Sequence, residues 1–189
     1  MLQSVLVINT VPNAAFLGPK AKQFAEQLVD TCLKVDGVLA FSTLLGSDQK
    51  QQRSLVQGFQ HQLAEALNQA VSVGWRQEER CSPDYDDAYD LYLSAELDGL
   101  LYKVVIELDK NRADQIAKKF ISRVAHTIDA PTIYVAFCYP GTAKMNMNEA
   151  KKYFGYCARH MNQLSKPELP KAFIGIVMEG GAVGVHAVT

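Results

Sequence analysis

The sequence carries no excess of charge, no long apolar run and no paired cysteine motif, and each absence closes a class of function. A net charge of −1 gives no global attraction for nucleic acid or anionic lipid, so such binding has to come from a local basic patch. No stretch approaches the ~18 apolar residues of a membrane-spanning helix. The apolar start MLQSVLVINTVPNAAF lacks the basic segment of a secretory leader. A soluble cytoplasmic protein without a membrane partner is expected. Cys32, Cys81, Cys138 and Cys157 form no CxxC and have no metal-ligand spacing, which predicts buried reduced thiols. YPGTAKMN has a glycine and a lysine after an apolar run but not the spacing of a phosphate-binding loop, and MEGGAVGVH lacks the GxGxxG order. His61, His126, His160 and His186 share no motif, and no Ser-His-Asp or Cys-His arrangement can be argued.

What is present fits one mixed α/β domain of 189 residues, with no internal repeat and no linker. SVLVINTV reads as a short strand. Phe24, Leu28, Cys32 and Val35 recur at helical spacing, as do Leu55, Phe59, Leu63, Ala66, Leu67 and Ala70 in the glutamine-rich segment that follows. SVGWRQEER suits a strand with Trp75 in the core, and CSPDYDD is a loop. NRADQIAKKFISRVAHTI predicts an amphipathic helix with Asn111 as cap and Ala113, Ile116, Ala117, Phe120, Ile121 and Val124 as its stripe. PTIYVAFCY has the continuous apolar character of a strand buried on both faces. A helix through Tyr153, Phe154, Cys157, Met161 and Leu164 and a last strand, AFIGIVM, complete the pattern.

Between the loop and the third helix lies AYDLYLSAELDGLLYKVVIELDK, Ala88 to Lys110. An Asp-Gly pair between apolar runs is the strongest short hairpin signal, because both residues tolerate positive φ. With Asp98 and Gly99 in the turn, Leu97 faces Leu100, Tyr92 faces Val105 and Asp90 faces Glu107. Side chains alternate, so Asp90, Glu107 and Asp109 share one face. The other face holds Leu91, Leu93, Ala95, Tyr102, Val104, Ile106 and Leu108 and should be buried against helices, with Leu91, Leu93, Val104, Ile106 and Leu108 packed together with Ile116, Phe120 and the strand from Ile133 to Phe137. Like charges facing across a strand pair repel. Either a hard divalent cation with oxygen ligands offsets that, or the acidic face splays into water. Asp98, ~30 Å along the strand from Glu107, is a turn residue.

The order helix, strand, hairpin, helix, strand resembles the αβββαβ core of the PD-(D/E)XK, or restriction-endonuclease-like, nuclease superfamily, over residues from about Gln51 to Tyr139. Asp90 resembles the first acidic residue of that family, and Glu107-Leu108-Asp109 its (D/E)xK tripeptide, after the apolar run Val104-Val105-Ile106. Two departures stand out. No proline precedes Asp90, and Asp109 occupies the lysine position. The resemblance implies a single restriction-endonuclease-like domain, 1–189, that hydrolyses phosphodiesters as an endodeoxyribonuclease. It implies Mg²⁺ or Mn²⁺ on Asp90, Glu107 and Asp109, with Glu65 as an added ligand. Lys118 and Lys119 are the candidates for the missing lysine. Together with Arg112, Arg123 and Lys144 they make the expected nucleic-acid-binding set, on DNA, with a homodimer needed to cut both strands. The absent lysine leaves, as the alternative, an inactive nucleic-acid- or protein-binding protein on the same core. VLVINTVPNAAFLGPKAKQFAEQL also resembles the first strand, loop and helix of flavodoxin-like proteins.

Overall fold

The structure is a computed structural model and describes residues 6–10, 16–35, 47–84, 86–110, 113–139 and 147–177. Arg112, Lys144, the predicted cap Asn111 and the glycine-rich tail lie outside the described residues. Among the described residues ten elements follow in chain order: β1 Leu6–Thr10, α1 Pro19–Lys34, α2 Gln49–Ala70, β2 Arg76–Arg80, β3 Ala88–Leu97, β4 Leu100–Lys110, α3 Ala113–Ala125, β5 Thr132–Tyr139, α4 Met147–Leu164 and β6 Lys171–Val177. They form a mixed α/β fold around one six-stranded sheet in the order β1-β6-β5-β4-β3-β2. β2, β3 and β4 form an antiparallel meander, and β4, β5 and β6 run parallel through helical crossovers. β1 closes the far edge antiparallel to β6. A flavodoxin-like doubly wound sheet would hold its first strand parallel and inside, so this edge position removes that resemblance.

Local chemistry explains the elements. Helix α2 starts with a reciprocal capping box, in which Asp48 accepts from the Gln51 amide and the Gln51 side chain accepts from the Asp48 amide. Its buried stripe is Phe59, Leu63 and Leu67, at four-residue steps. Helix α1 has Gly18 at its N-cap and no side chain of its own to close the end. Asp98, in the hairpin turn, supplies the carboxylate instead, accepting from the Lys20 and Ala21 amides at 3.1 and 2.9 Å. A Cβ on Gly18 would collide with that carboxyl, so the glycine makes the contact possible. Asp98 and Gly99 both have positive φ, 53° and 78°, as a type I′ turn requires.

The sheet divides the interior into two cores. On one side α1 and α2 cover Leu91, Leu93, Tyr102, Val104, Ile106 and Leu108 of the hairpin and Ile133, Val135 and Phe137 of β5. On the other side α3 and α4 cover Val105, Tyr134, Ala136 and Phe173. Ile116 and Phe120 belong to this second core, so the expectation that they pack with the apolar hairpin face is wrong by one face of the sheet. The parity of the hairpin is right, but α3 crosses to its other side. Ile121 is 64% exposed and leaves the stripe as well. Each fully buried Leu or Phe contributes ~1.5–3 kcal/mol. β5 is buried along its whole length, as the apolar run predicts. Cys32, Cys138 and Cys157 are buried free thiols, and Cys81 is half-buried.

Candidate active site

The hairpin register runs from Leu97↔Leu100 to Leu91↔Ile106, which sets Asp90 and Glu107 as the next facing positions. There the regular ladder stops. On its other flank β3 pairs with β2 at Gln77↔Leu91 and again at Glu79↔Tyr89, skipping Glu78 and Asp90. Glu78 has φ 51°, a conformation that costs a non-glycine residue ~1–3 kcal/mol. A buried glutamine of α2 holds this break open. Gln60 Nε2 donates to the Asp90 carbonyl at 2.7 Å and to Glu78 Oε1 at 3.0 Å. Across the gap, Asp90 Oδ2 accepts from the Leu108 amide at 2.6 Å. Asp90 is thereby drawn out of both ladders and turned toward β4.

Glu107 and Asp109 follow from β4 with the alternation the sequence predicts, but the face is not solvated. Their exposures are 0% and 2%, because α3 lies over them. α3 brings two cations at i and i+4. Lys119 Nζ meets Asp90 Oδ2 at 2.9 Å, Glu107 Oε2 at 3.1 Å and Asp109 Oδ1 at 3.6 Å, and donates to the Leu108 carbonyl at 3.2 Å. Arg123 bridges Glu107 at 3.2 Å and Asp87 at 2.9 Å. Four carboxylates against two cations leave a formal charge of −2 in this cluster.

Burial pushes the Glu107 carboxyl up to about 8, with the Asp90 charge adding to it and Lys119 and Arg123 opposing. Asp109 is raised to about 6, again first by burial, against the pull of Lys119. Burial alone would lower the Lys119 amine, but the charges of Asp90, Glu107 and Asp109 overcome it and hold the amine protonated above its ordinary range. The cluster is an ammonium enclosed by oxygens that together retain protons a solvated carboxylate would lose.

Of the predicted site residues, Asp90, Glu107, Asp109 and Lys119 therefore converge on one point. Lys118 does not. It is exposed and pairs with Asp114 at 3.3 Å, because the neighbouring helix position points some 100° away. Glu65 sits 62% exposed on α2, 3.5 Å from His61, and is not among the residues that meet Lys119. Arg123 is buried in its ion pairs and is not a surface contact for nucleic acid. Sequence reasoning missed Gln60, although it stands at i, i+3, i+4 and i+7 from the buried Leu63, Ala64 and Leu67. A polar residue inside an apolar stripe was the available signal. Asp87 had no signal beyond its acidic loop.

Beside Asp90 the break opens into a groove of about 600 Å³, walled by α2 residues from Gln49 to Gln60 and by Glu78 and Tyr139. Among the described residues, no group of three or more His, Cys, Asp or Glu is closed around a metal-sized space. The ammonium explains this, since the carboxylates are spread around Lys119 rather than around one another. Also among the described residues, no helix is long and apolar enough to cross a membrane. Compared with protein-family models, curated proteins and solved structures, the chain matches none.

Proposed function

We propose that the chain is a metal-dependent nuclease hydrolysing phosphodiester bonds, built on a restriction-endonuclease-like core formed by α2, β2, β3, β4, α3 and β5. The observation that carries this reading is the convergence of Asp90, Glu107 and Asp109 on Lys119. Asp109 holds the lysine position of the tripeptide, and an amine from the next helix, Lys119, lies 3.6 Å from its carboxylate. The donors suit a hard cation such as Mg²⁺ or Mn²⁺. They are all oxygens, and Asp109 Oδ2 is buried with no hydrogen-bond partner among the described residues. Asp90, Glu107 and Asp109 would hold the ion, which when bound supplies an acidified water and a positive field at the scissile phosphate. Lys119, at the centre of the cluster and 30% exposed, would yield that place to the ion and donate an N–H to a phosphate oxygen as negative charge develops there. Arg123 fixes the Glu107 carboxylate, and the Asp90–Leu108 hydrogen bond fixes the distance between the two strands. DNA is the proposed substrate, cut on both strands by a symmetric homodimer.

One observation favours a second reading, a nucleic-acid- or protein-binding member of the same core. The centre of the acidic cluster already holds a cation, so the carboxylates of the apo protein are partly compensated without a metal. Plasmid nicking and calorimetry separate the two. For a nuclease, Mg²⁺ or Mn²⁺ supports cleavage and Ca²⁺ supports binding without turnover. Glu107→Gln lowers cleavage on the order of a hundredfold or more. Lys119→Met lowers it as severely while binding the divalent ion more tightly, because a competing charge is gone. Wild-type protein that binds no divalent ion and cuts no nucleic acid rules out the enzyme and leaves the binding protein.

A further inference from the structure

The groove beside Asp90 has walls unlike those of a phosphate site. Gln49, Arg53, Gln57 and Gln60 follow at helical steps along one face of α2, and Asp90 stands at the inner end. One guanidinium, Arg53, faces two carboxylates, Glu78 and Asp90, so the lining is formally negative and repels a phosphate. The N-terminus of α2, the other place where an anion would settle, is already closed by Asp48 and Gln51. Gln60 is committed to the Asp90 carbonyl and Glu78. Gln49, Arg53 and Gln57 are exposed, and no hydrogen bond or ion pair among the described residues engages them. The volume lies within the ~300–1,000 Å³ of small-ligand sites, enough for a nucleoside.

We infer that this groove reads a base of the nucleic acid, a purine adjacent to the scissile phosphate, through Gln57 and Arg53. The inference rests on the nuclease reading, in which a divalent ion at the Asp90 cluster would hold the scissile phosphate at the groove's inner end. Neutral amides offer a donor and an acceptor each, which suits the edge of a base and not a phosphate. A purine is selected because glutamine makes two-point contacts with adenine and arginine with guanine. Each such contact is worth a discrimination of roughly five- to a hundredfold.

The test selects randomised DNA, as duplex and as single strands, on the wild-type protein in Ca²⁺, and sequences the ends cut in Mg²⁺. The expected result is purine enrichment at a position next to the cut. Gln57→Ala and Arg53→Ala flatten that position, whereas Lys166→Ala, in the exposed turn before β6, leaves the profile as it is. Gln57→Glu keeps the shape but loses the donor, and moves the preference away from adenine. Cleavage with no base preference, or a preference that survives both alanine variants, overturns the inference and leaves the nuclease reading standing. Wild-type protein that neither binds nor cuts DNA overturns both.

Discussion

On one side of the sheet α1 and α2 close over an unbroken apolar surface, Leu91 through Leu108 on the hairpin and Ile133 through Phe137 on β5. On the other side α3 and α4 close over Val105, Tyr134 and Phe173, and then, at the end of β4, over Glu107 and Asp109. The same period-two alternation produces both surfaces. What differs is the offset of the desolvation cost. The apolar side needs only shape. The acidic end is held by two cations from one helix turn, Lys119 and Arg123, and a buried carboxylate is tolerable there only while they remain. One side of the sheet is organised for stability and the other gives up stability to keep charges together.

Truncation on the apolar side sharpens the contrast most. Leu63→Ala should cost ~2–5 kcal/mol in denaturant unfolding, with little change between pH 5 and 8, because the side chain is fully buried in the apolar core. The acidic side should show the opposite dependence. The Glu107 pKa in the folded chain, about 8, exceeds the ordinary 4.5, so folded protein binds more protons than unfolded protein between those values. Metal-free stability should therefore fall as pH rises through that interval, with Asp109 contributing between its ordinary 3.8 and about 6. Glu107→Gln should flatten most of the slope in pH-dependent melts. A slope unchanged in that variant would place the titration elsewhere.

Two smaller effects test the edges of the comparison. Asp98→Ala should cost ~1 kcal/mol through the lost α1 cap, and the cleavage proposed above should survive it. Ile121→Ala should stay within ~0.5 kcal/mol, since the side chain lies outside both cores. A large loss there would mean that Ile121 packs with Ile116, Phe120 and Val124, as the stripe read from sequence has it.

The hairpin was legible because local rules determine it. A turn dipeptide fixes the register, and the register fixes which carboxylates share a face. Lys119 was half legible, as one of two adjacent lysines whose choice depends on helix phase. The break at Asp90 was not legible, because it needs Gln60 from a helix thirty residues away to hold a carbonyl the ladder would otherwise use. The burial of Glu107 escaped for a related reason. Alternation tells which residues share a face, and says nothing about which helix covers it. The same gap placed Ile116 and Phe120 on the wrong side of the sheet.

The cap on α1 has a consequence for how the chain comes into being. The carboxylate that closes that helix lies 78 residues beyond Lys20, so a growing chain presents α1 long before its partner exists. Until the hairpin turn has been made and delivered, the first turn of α1 has to rely on water for its orphan amides. Translation therefore completes the two elements far apart in time, and their docking joins the first helix to the central meander in a single event. In the finished protein the amides of Lys20 and Ala21 should exchange with solvent at the rate at which the hairpin tip lets go, and not at the rate of an ordinary fraying helix end.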